Sequence, residues 1–450
     1  MVGSVLFREN MIDRYKTEEM NVIWNEEAKI KRWVQIEAIV ASVMYDCGEI
    51  PDEEFTKMVT AELPTIERIN ELEKETDHDV VAFVRAYGEN MGSAARFLHK
   101  GLTSSDIVDT ATSIAIRDSI EIIINSMCEL GEVLKEKALK YKDLPCIGRT
   151  HGIHAEPTSF GLKFLSWYAE SLRNSDRLAF QWGNMSFGKL SGAVGNYSQH
   201  DWDFEHKVLN KLHLESEDVA TQIIPRDRHA EVVSCLALVG VMIERIATEI
   251  RSLQRTEIRE VEEKFKIGQT GSSAMPHKHN PILSERLCGI SRLLRSYMIT
   301  AFENVALWHE RDISHSSNER IIFPDMFHLT HYMIIKTKSL IETLTVFEDQ
   351  IKKNIDRTHG LIYSQNILSF LISNKFDRTE AYKIIQNAAQ EMMDGRDSIS
   401  DFTWVIFENI KKTFPDFEMN RDFRDQLISL TNSTIYLKNV NKIYEVLGVI

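Results

Sequence analysis

Three stretches of this chain carry apolar residues at spacings of four and three. One runs Val232, Leu236, Val239, Ile243, Ile246, Ile250, Leu253. Another runs Ile116, Ile120, Ile123, Met127, Leu130, Leu134. The third runs Leu287, Ile290, Leu294, Tyr297, Ala301, Val305, Trp308. Such spacing, with a mean period of about 3.5 residues, is the seam of a supercoiled helix. A helix with this stripe is marginal alone and needs another apolar face to bury it. The spacing therefore predicts an elongated bundle in the middle of the chain, its helices covered by one another or by another subunit. Only 20 of 450 residues are glycine and 9 are proline. These are about 4% and 2%, against the usual ~7% and ~5%, and both residues are costly inside helices.

The length suits about three domains. Residues 1–102 read as shorter helices broken at "GEIPDEE" and "ELPT", and 103–351 as the long bundle. Residues 352–450 have shorter seams interrupted at "ISNKFDR", "MMDGRDS" and "TFPDFE". The expected fold is all-α, with three helical domains.

The net charge of −14 and the absence of a dense Lys/Arg run argue against nucleic acid as a main partner, since duplex binding needs a basic face. An anionic small molecule stays open. The five cysteines are odd in number, scattered and without a C-x-x-C pair, as expected of reduced thiols. No apolar run approaches the ~18 residues of a membrane span. The apolar patch of "MVGSVLFREN" is too short for a signal peptide. No membrane partner and a cytoplasmic location are expected.

Polar clusters interrupt the helical pattern: "MIDRY" (11–15), "TDHD" (76–79), "GLTSSD" (101–106), "GRTHG" (148–152), "TQIIPRD" (221–227), "GSSAMPHKHNP" (271–281) and "HERDISHSSNER" (309–320). Taken singly, each has a structural reading as a helix cap or solvated turn. His151 and His154, His277 and His279, and His328 and His331 are closely spaced. None of these pairs forms H-E-x-x-H or has a cysteine or carboxylate at ligand spacing, so no metal is expected. A G-x-S-x-G elbow and a G-x-x-x-x-G-K-[ST] loop are both missing, which removes the usual signals of serine hydrolysis and phosphoryl transfer. The 271–281 loop instead supplies parts for removing a proton from carbon beside a carboxylate. Ser272 offers an oxygen, Lys278 a compact cation and Asn280 an amide, as a base and charge-holding groups require. A serine base would need a dry, positively charged pocket, and spacing alone does not choose between Ser272 and Ser273.

"GSSAMPHKHNP" resembles the signature loop G-S-S-x-M-P-x-K-x-N-P of the fumarase/aspartase superfamily. "MIDRY", "EMNVIW", "TDHDVVAF", "GLTSSDIVDTA", "GRTHGIHAEPTSFG", "TQIIPRD", "WHERDISHSSNERI" and "FDRTEAYKIIQNAA" are similar, in order and over nearly the whole chain, to its adenylosuccinate lyase branch of bacterial type. The resemblance implies elimination of fumarate from succinylated purine nucleotides and their precursors, without metal or organic cofactor. It implies a homotetramer with a twenty-helix core and active sites shared between three subunits.

By resemblance, Ser272 would be the base and His151 the acid, with Glu285 orienting His151. Lys278 and Asn280 would hold the carboxylate as it gains charge. Thr103, Ser104, Gln222 and Ser273 would bind the succinyl part. Asp77, His78 and Asp79 would lie along the substrate, His78 among the catalytic residues. Arg14, Tyr15, Arg311, Ser316 and Arg320 would grip the nucleotide and its phosphate, as arginine forks match phosphate oxygens. His99 and Arg286 would stand near the site. Ten residues precede "MIDRY", where close relatives usually start, which leaves Met11 open as the true beginning. Other fumarate-releasing lyases of the superfamily (argininosuccinate lyase, aspartase, fumarase), a carboxymuconate cycloisomerase and a catalytically retired scaffold are the alternatives.

Overall fold

The computed structural model of the chain describes residues 11–265, 275, 277–394 and 401–450. It is 67% helical, and among the described residues strand occurs only as three two-stranded pairs. The all-α expectation holds. Five long helices dominate: Ser104–Lys140, Gly161–Asn184, Arg226–Leu253, Ile282–Glu303 and Ser314–Thr343. Among the described residues no helix is long and apolar enough to cross a membrane. None of the five cysteines is in a disulfide.

The chain forms two compact units. The first comprises Met1–Leu130, Ser171–Arg245 and Arg286–Lys338, and the second Gly131–Glu170, Ile246–Glu285 and Ser339–Ile450. In the first unit, Trp33, Val40, Met44 and Phe83 from the N-terminal helices share a core with Ile107 and Leu209. In the second, Ile367, Leu371, Ile384, Ile406 and Leu427 pack with Ile147.

The seams are where the spacing puts them, with one exception. Every residue from Val232 to Leu253 on the first seam is at most 3% exposed, and the Ile116–Leu134 seam is fully buried. Gly240 shows how closely the first unit's helices approach: a Cβ there would lie 2.6 Å from Leu294 Cδ1. The third seam overshoots. Val305 and Trp308 are 45% and 79% exposed, because the helix stops at Glu303. The amides of Asn304 and Asn318 exchange hydrogen bonds of 2.7 and 2.9 Å. The Asp312 carboxylate then accepts the Trp308 and Ser314 N–H groups at 2.8 and 2.9 Å. Local side-chain bonds of this kind compete with helix continuation.

The second unit contains a β-hairpin that helical periodicity does not announce. Pro145–Thr150 pairs antiparallel with Ile153–Ser159, and the register shifts between Ile147 and Arg149. That irregularity breaks the alternation by which a strand is read. Gly148 fits the bend, since a Cβ there would meet the Glu156 carbonyl oxygen at 2.9 Å. Thr150 pairs with Ile153, so the loop is two residues, His151 (φ 55°) and Gly152 (φ 78°). Positive φ at both central positions is the geometry that matches strand twist in a two-residue hairpin.

Ile243 sits mid-seam with no exposed surface. Ile243→Ala should cost about 2–5 kcal/mol of unfolding free energy in urea, from lost burial plus the cavity. A loss below about 0.5 kcal/mol would contradict a packed seam.

Candidate active site

In the first unit, residues far apart in sequence converge. Asp77 ends the Ile66–Thr76 helix in a left-handed conformation, and His78 caps the next helix, its Nδ1 accepting the Val81 N–H at 3.4 Å. Nδ1 is thus the acceptor nitrogen, which leaves Nε2–H to donate to Ser104 Oγ at 3.4 Å. Arg320 Nη2 donates to Asp79 Oδ2 at 2.6 Å. Burial would raise the Asp79 pKa, but the Arg320 charge outweighs it and the net shift is downward. Thr103 donates its N–H to Asp106 Oδ2 at 2.8 Å. The other oxygen of Asp106 is ion-paired with Lys189, both side chains fully buried.

His99 also has a left-handed backbone, φ 57°. Its N–H and its ring Nδ1 bond the two oxygens of Glu37, at 3.0 and 2.8 Å. A carboxylate only accepts, so Nδ1 carries the proton. Glu37 is 2% exposed. It belongs to none of the polar clusters of the sequence, although a lone carboxylate inside "WVQIEAIV" is a readable signal of a buried partner.

A third group lies around "TQIIPRD" and "HERDISHSSNER". Arg311 Nη1 donates to Gln222 Oε1 at 3.1 Å, and the Gln222 N–H donates to the Glu310 carbonyl at 3.3 Å. Behind them, Arg226 is buried between Asp109 (2.6 Å) and Glu319 (2.8 Å). Burial alone would raise the Asp109 pKa; the Arg226 guanidinium more than offsets that and holds the carboxyl at about 2. Ser316 lies half-buried in the same helix, its N–H donating to the Ile313 carbonyl at 3.1 Å.

Arg14 and Arg286 share a cavity of about 420 Å³ with Lys16, Lys336 and Tyr332. Arg286 Nη1 donates to the Tyr332 hydroxyl at 3.0 Å, and the Tyr15 ring meets that of Tyr332 edge-on, centroids 5.2 Å apart. Four cations about one cavity, offset by Glu18 and Glu19, suit a phosphate or carboxylate.

In the second unit, His151 stands exposed at the hairpin tip. Two residues back, Arg149 is clamped on Glu260 at 2.5 and 3.2 Å. Glu260 is fully buried and also accepts from Asn354 at 2.8 Å. The two sides of the 271–281 segment are fastened to each other at described residues. Glu263 accepts the Leu283 and Ser284 N–H groups at 3.1 and 2.8 Å, and His279 stacks on Phe265 with ring centroids 4.1 Å apart. Lys278 is exposed, and the Asn280 carbonyl accepts the Ile282 N–H at 2.9 Å. Glu285 is exposed on the first turn of its helix and, among the described residues, is not hydrogen-bonded to His151. Ser272 and Ser273 lie outside the described residues.

A family model described as "Lyase" matches residues 13–294. The adenylosuccinate lyase of Thermotoga maritima is 46% identical, over 97% of this chain and 99% of its own length. That of Bacillus subtilis is 42% identical, over 97% of this chain and all of its own length. The chain belongs to the adenylosuccinate lyase family. It is an enzyme of that family, a lyase. Among solved structures, a fumarate lyase from Mesorhizobium sp. BNC1 has a TM-score of 0.85 at 24% identity, covering 96% of this chain and 98% of its own. The 3-carboxy-cis,cis-muconate lactonizing enzyme from Pseudomonas putida has a TM-score of 0.84 at 22% identity, covering 98% of each chain. At such identities these two speak for the fold alone.

In this lyase the hairpin that carries His151 is joined through Arg149 to the buried Glu260. Arg149→Met would leave Glu260 buried and without its cation, so we expect a loss of about 3–5 kcal/mol in chemical denaturation. Unchanged stability would show that the pair does not hold the hairpin.

Proposed function

We propose that the chain cleaves adenylosuccinate to AMP and fumarate, and releases fumarate from succinylaminoimidazole carboxamide ribotide in the same way, both within purine synthesis. The observation that carries this reading is the meeting of Asp79 with Arg320 and of Gln222 with Arg311. It occurs in a chain whose full-length relatives at 42–46% identity are adenylosuccinate lyases. Residues distant in sequence thus meet in the first unit.

In this reading Ser272 takes a proton from the succinyl carbon next to the carboxylate. The electron pair left behind delocalises into that carboxylate, where Lys278 and Asn280 hold the doubly charged group. The pair then returns to form the fumarate double bond as the C–N bond breaks, and His151 protonates the departing nitrogen. Glu285 orients His151. Thr103, Ser104, Gln222 and Ser273 hold the succinyl part, while Asp77, His78 and Asp79 lie along the substrate. Arg14, Tyr15, Arg311, Ser316 and Arg320 take the nucleotide and its phosphate, with His99 and Arg286 near them. No metal or organic cofactor takes part.

The same reading makes the enzyme a cytoplasmic homotetramer, its 103–351 segment the bundle, with 1–102 and 352–450 as flanking helical domains. Leu238, Ile299, Phe302 and Ile321 on the long helices are 45–60% exposed. Other subunits would cover these side chains, and three subunits would contribute to each site.

Purified protein given adenylosuccinate and a chelator should release fumarate, followed by ultraviolet absorbance; no turnover by folded protein would overturn the proposal. Ser272→Ala should lower kcat by about 10²–10⁴, with Ser273→Ala far less affected, and a fully active Ser272→Ala enzyme would remove Ser272 as base. Arg320→Ala should raise KM about tenfold, the loss of one charge-assisted contact. Unchanged KM and kcat would withdraw Arg320 from the phosphate site.

A further inference from the structure

We propose that His315 is a positioning residue that aims Arg311 and Gln222 at the substrate; this rests on the assignment of those two residues to substrate binding. His315 is 2% exposed, and its ring lies between a buried charge cluster and the Arg311 guanidinium. Arg311 Nε–H donates to His315 Nε2 at 3.2 Å. A guanidinium has no acceptor, so Nε2 carries the lone pair. Nδ1 therefore carries the proton and donates it to Glu319 Oε2 at 2.9 Å. Arg226 Nη2 lies 3.3 Å from the same Nδ1, donor facing donor, and gives its proton to Glu319 Oε2 at 3.2 Å instead.

One tautomer and one ring orientation satisfy the Arg311 and Glu319 contacts together. The consequence reaches the ligand side. With Nε held by His315, Arg311 Nη1 points at Gln222 Oε1. The Gln222 amide is thereby fixed with its oxygen toward the arginine and its NH₂ group turned to donate elsewhere. Among the described residues Arg311 Nη2 has no hydrogen-bond partner. The Gln222 NH₂ group and Arg311 Nη2 are then a pair of donors for an anionic oxygen of the substrate. The neutral imidazole links that pair to Glu319, which the buried Arg226 holds at 2.8 Å. His315 touches no ligand in this scheme and acts through Arg311.

The test separates the two ends of the ring. In H315N the amide nitrogen can occupy the place of Nδ1 and keep the Glu319 bond, while the acceptor for Arg311 is lost. H315Q places its carbonyl oxygen near Nε2 and retains that acceptor. We expect H315N to raise KM for adenylosuccinate about tenfold with kcat within about twofold of wild type, the pattern of lost uniform binding. H315Q should recover KM to within about threefold of wild type. In the R311A background, either substitution should change KM by less than about twofold, because the partner through which it acts is already gone. Thermal melting of each variant checks the fold. If H315N melts far below wild type, the comparison of H315Q with H315L, each with and without R311A, decides in its place. An active wild type with H315N at wild-type KM, equal losses in the two polar variants, or additive losses with R311A would each overturn the inference. Wild-type protein that releases no fumarate would instead overturn the functional reading on which it rests.

Discussion

Arg226 is 4% exposed, and much of the first unit's geometry follows from that. A buried guanidinium must be paired or the chain unfolds around it. Here it bridges Asp109 on the Ser104–Lys140 helix and Glu319 on the Ser314–Thr343 helix, while itself opening the Arg226–Leu253 helix. One cation faces two carboxylates, so other donors must complete the cluster. The Ile224 N–H gives to Asp109 at 2.8 Å, and His315 gives to Glu319. Against an apolar replacement the net stabilisation of such a cluster is modest. Its effect is on register, because sliding one of the three helices would strand a buried charge. Ser104, Gln222, Arg311, Ser316 and Arg320 all lie within about two helical turns of its members along the chain, so the cluster fixes where their side chains begin.

The helical bundle was legible because burial imposes a period. A seam residue must return to the same face every three or four positions, and Val232 to Leu253 do so while fully enclosed. The third seam shows the limit of that logic. Val305 and Trp308 keep the spacing after the helix has ended, since apolar spacing does not register the paired Asn304 and Asn318 amides. The hairpin was illegible for a related reason: its bulge and Pro157 erase the alternation by which half-buried strands are read.

The candidate site was legible as polar clusters, and the buried carboxylate Glu37, which bonds His99, lies outside all of them. Motif resemblance pointed to His99, Thr103, Gln222 and Arg311, whose chemistry shows in their residue types. Glu37, Asp106 and His315 bond His99, Thr103 and Arg311; Asp106 and His315 are local partners, three and four positions away, and Glu37 is not. Glu37 is 62 positions from His99, and nothing local in the sequence links them. A charged residue in an otherwise apolar helical run is the trace such a partner leaves, since an unpaired buried carboxylate would be costly.

Backbone strain falls on three of the candidate site residues. Asp77, His99 and His151 all have positive φ, at 49°, 57° and 55°, a region that costs a side-chain-bearing residue roughly 1–2 kcal/mol. Each is over-determined by its surroundings. The Asp77 N–H closes the preceding helix onto the Glu73 carbonyl at 2.9 Å, and Glu37 grips His99 at both backbone and ring. The pairing of Thr150 with Ile153 leaves His151 only the hairpin tip. Glycine would relieve the strain at all three positions and remove the side chain. Strain of this kind persists where the surrounding structure enforces it. For His151 the gain is direction: a left-handed residue at the tip of a two-residue hairpin has its Cα–Cβ vector set by strand register. The buried Arg149–Glu260 pair below it ties that register to the core of the second unit.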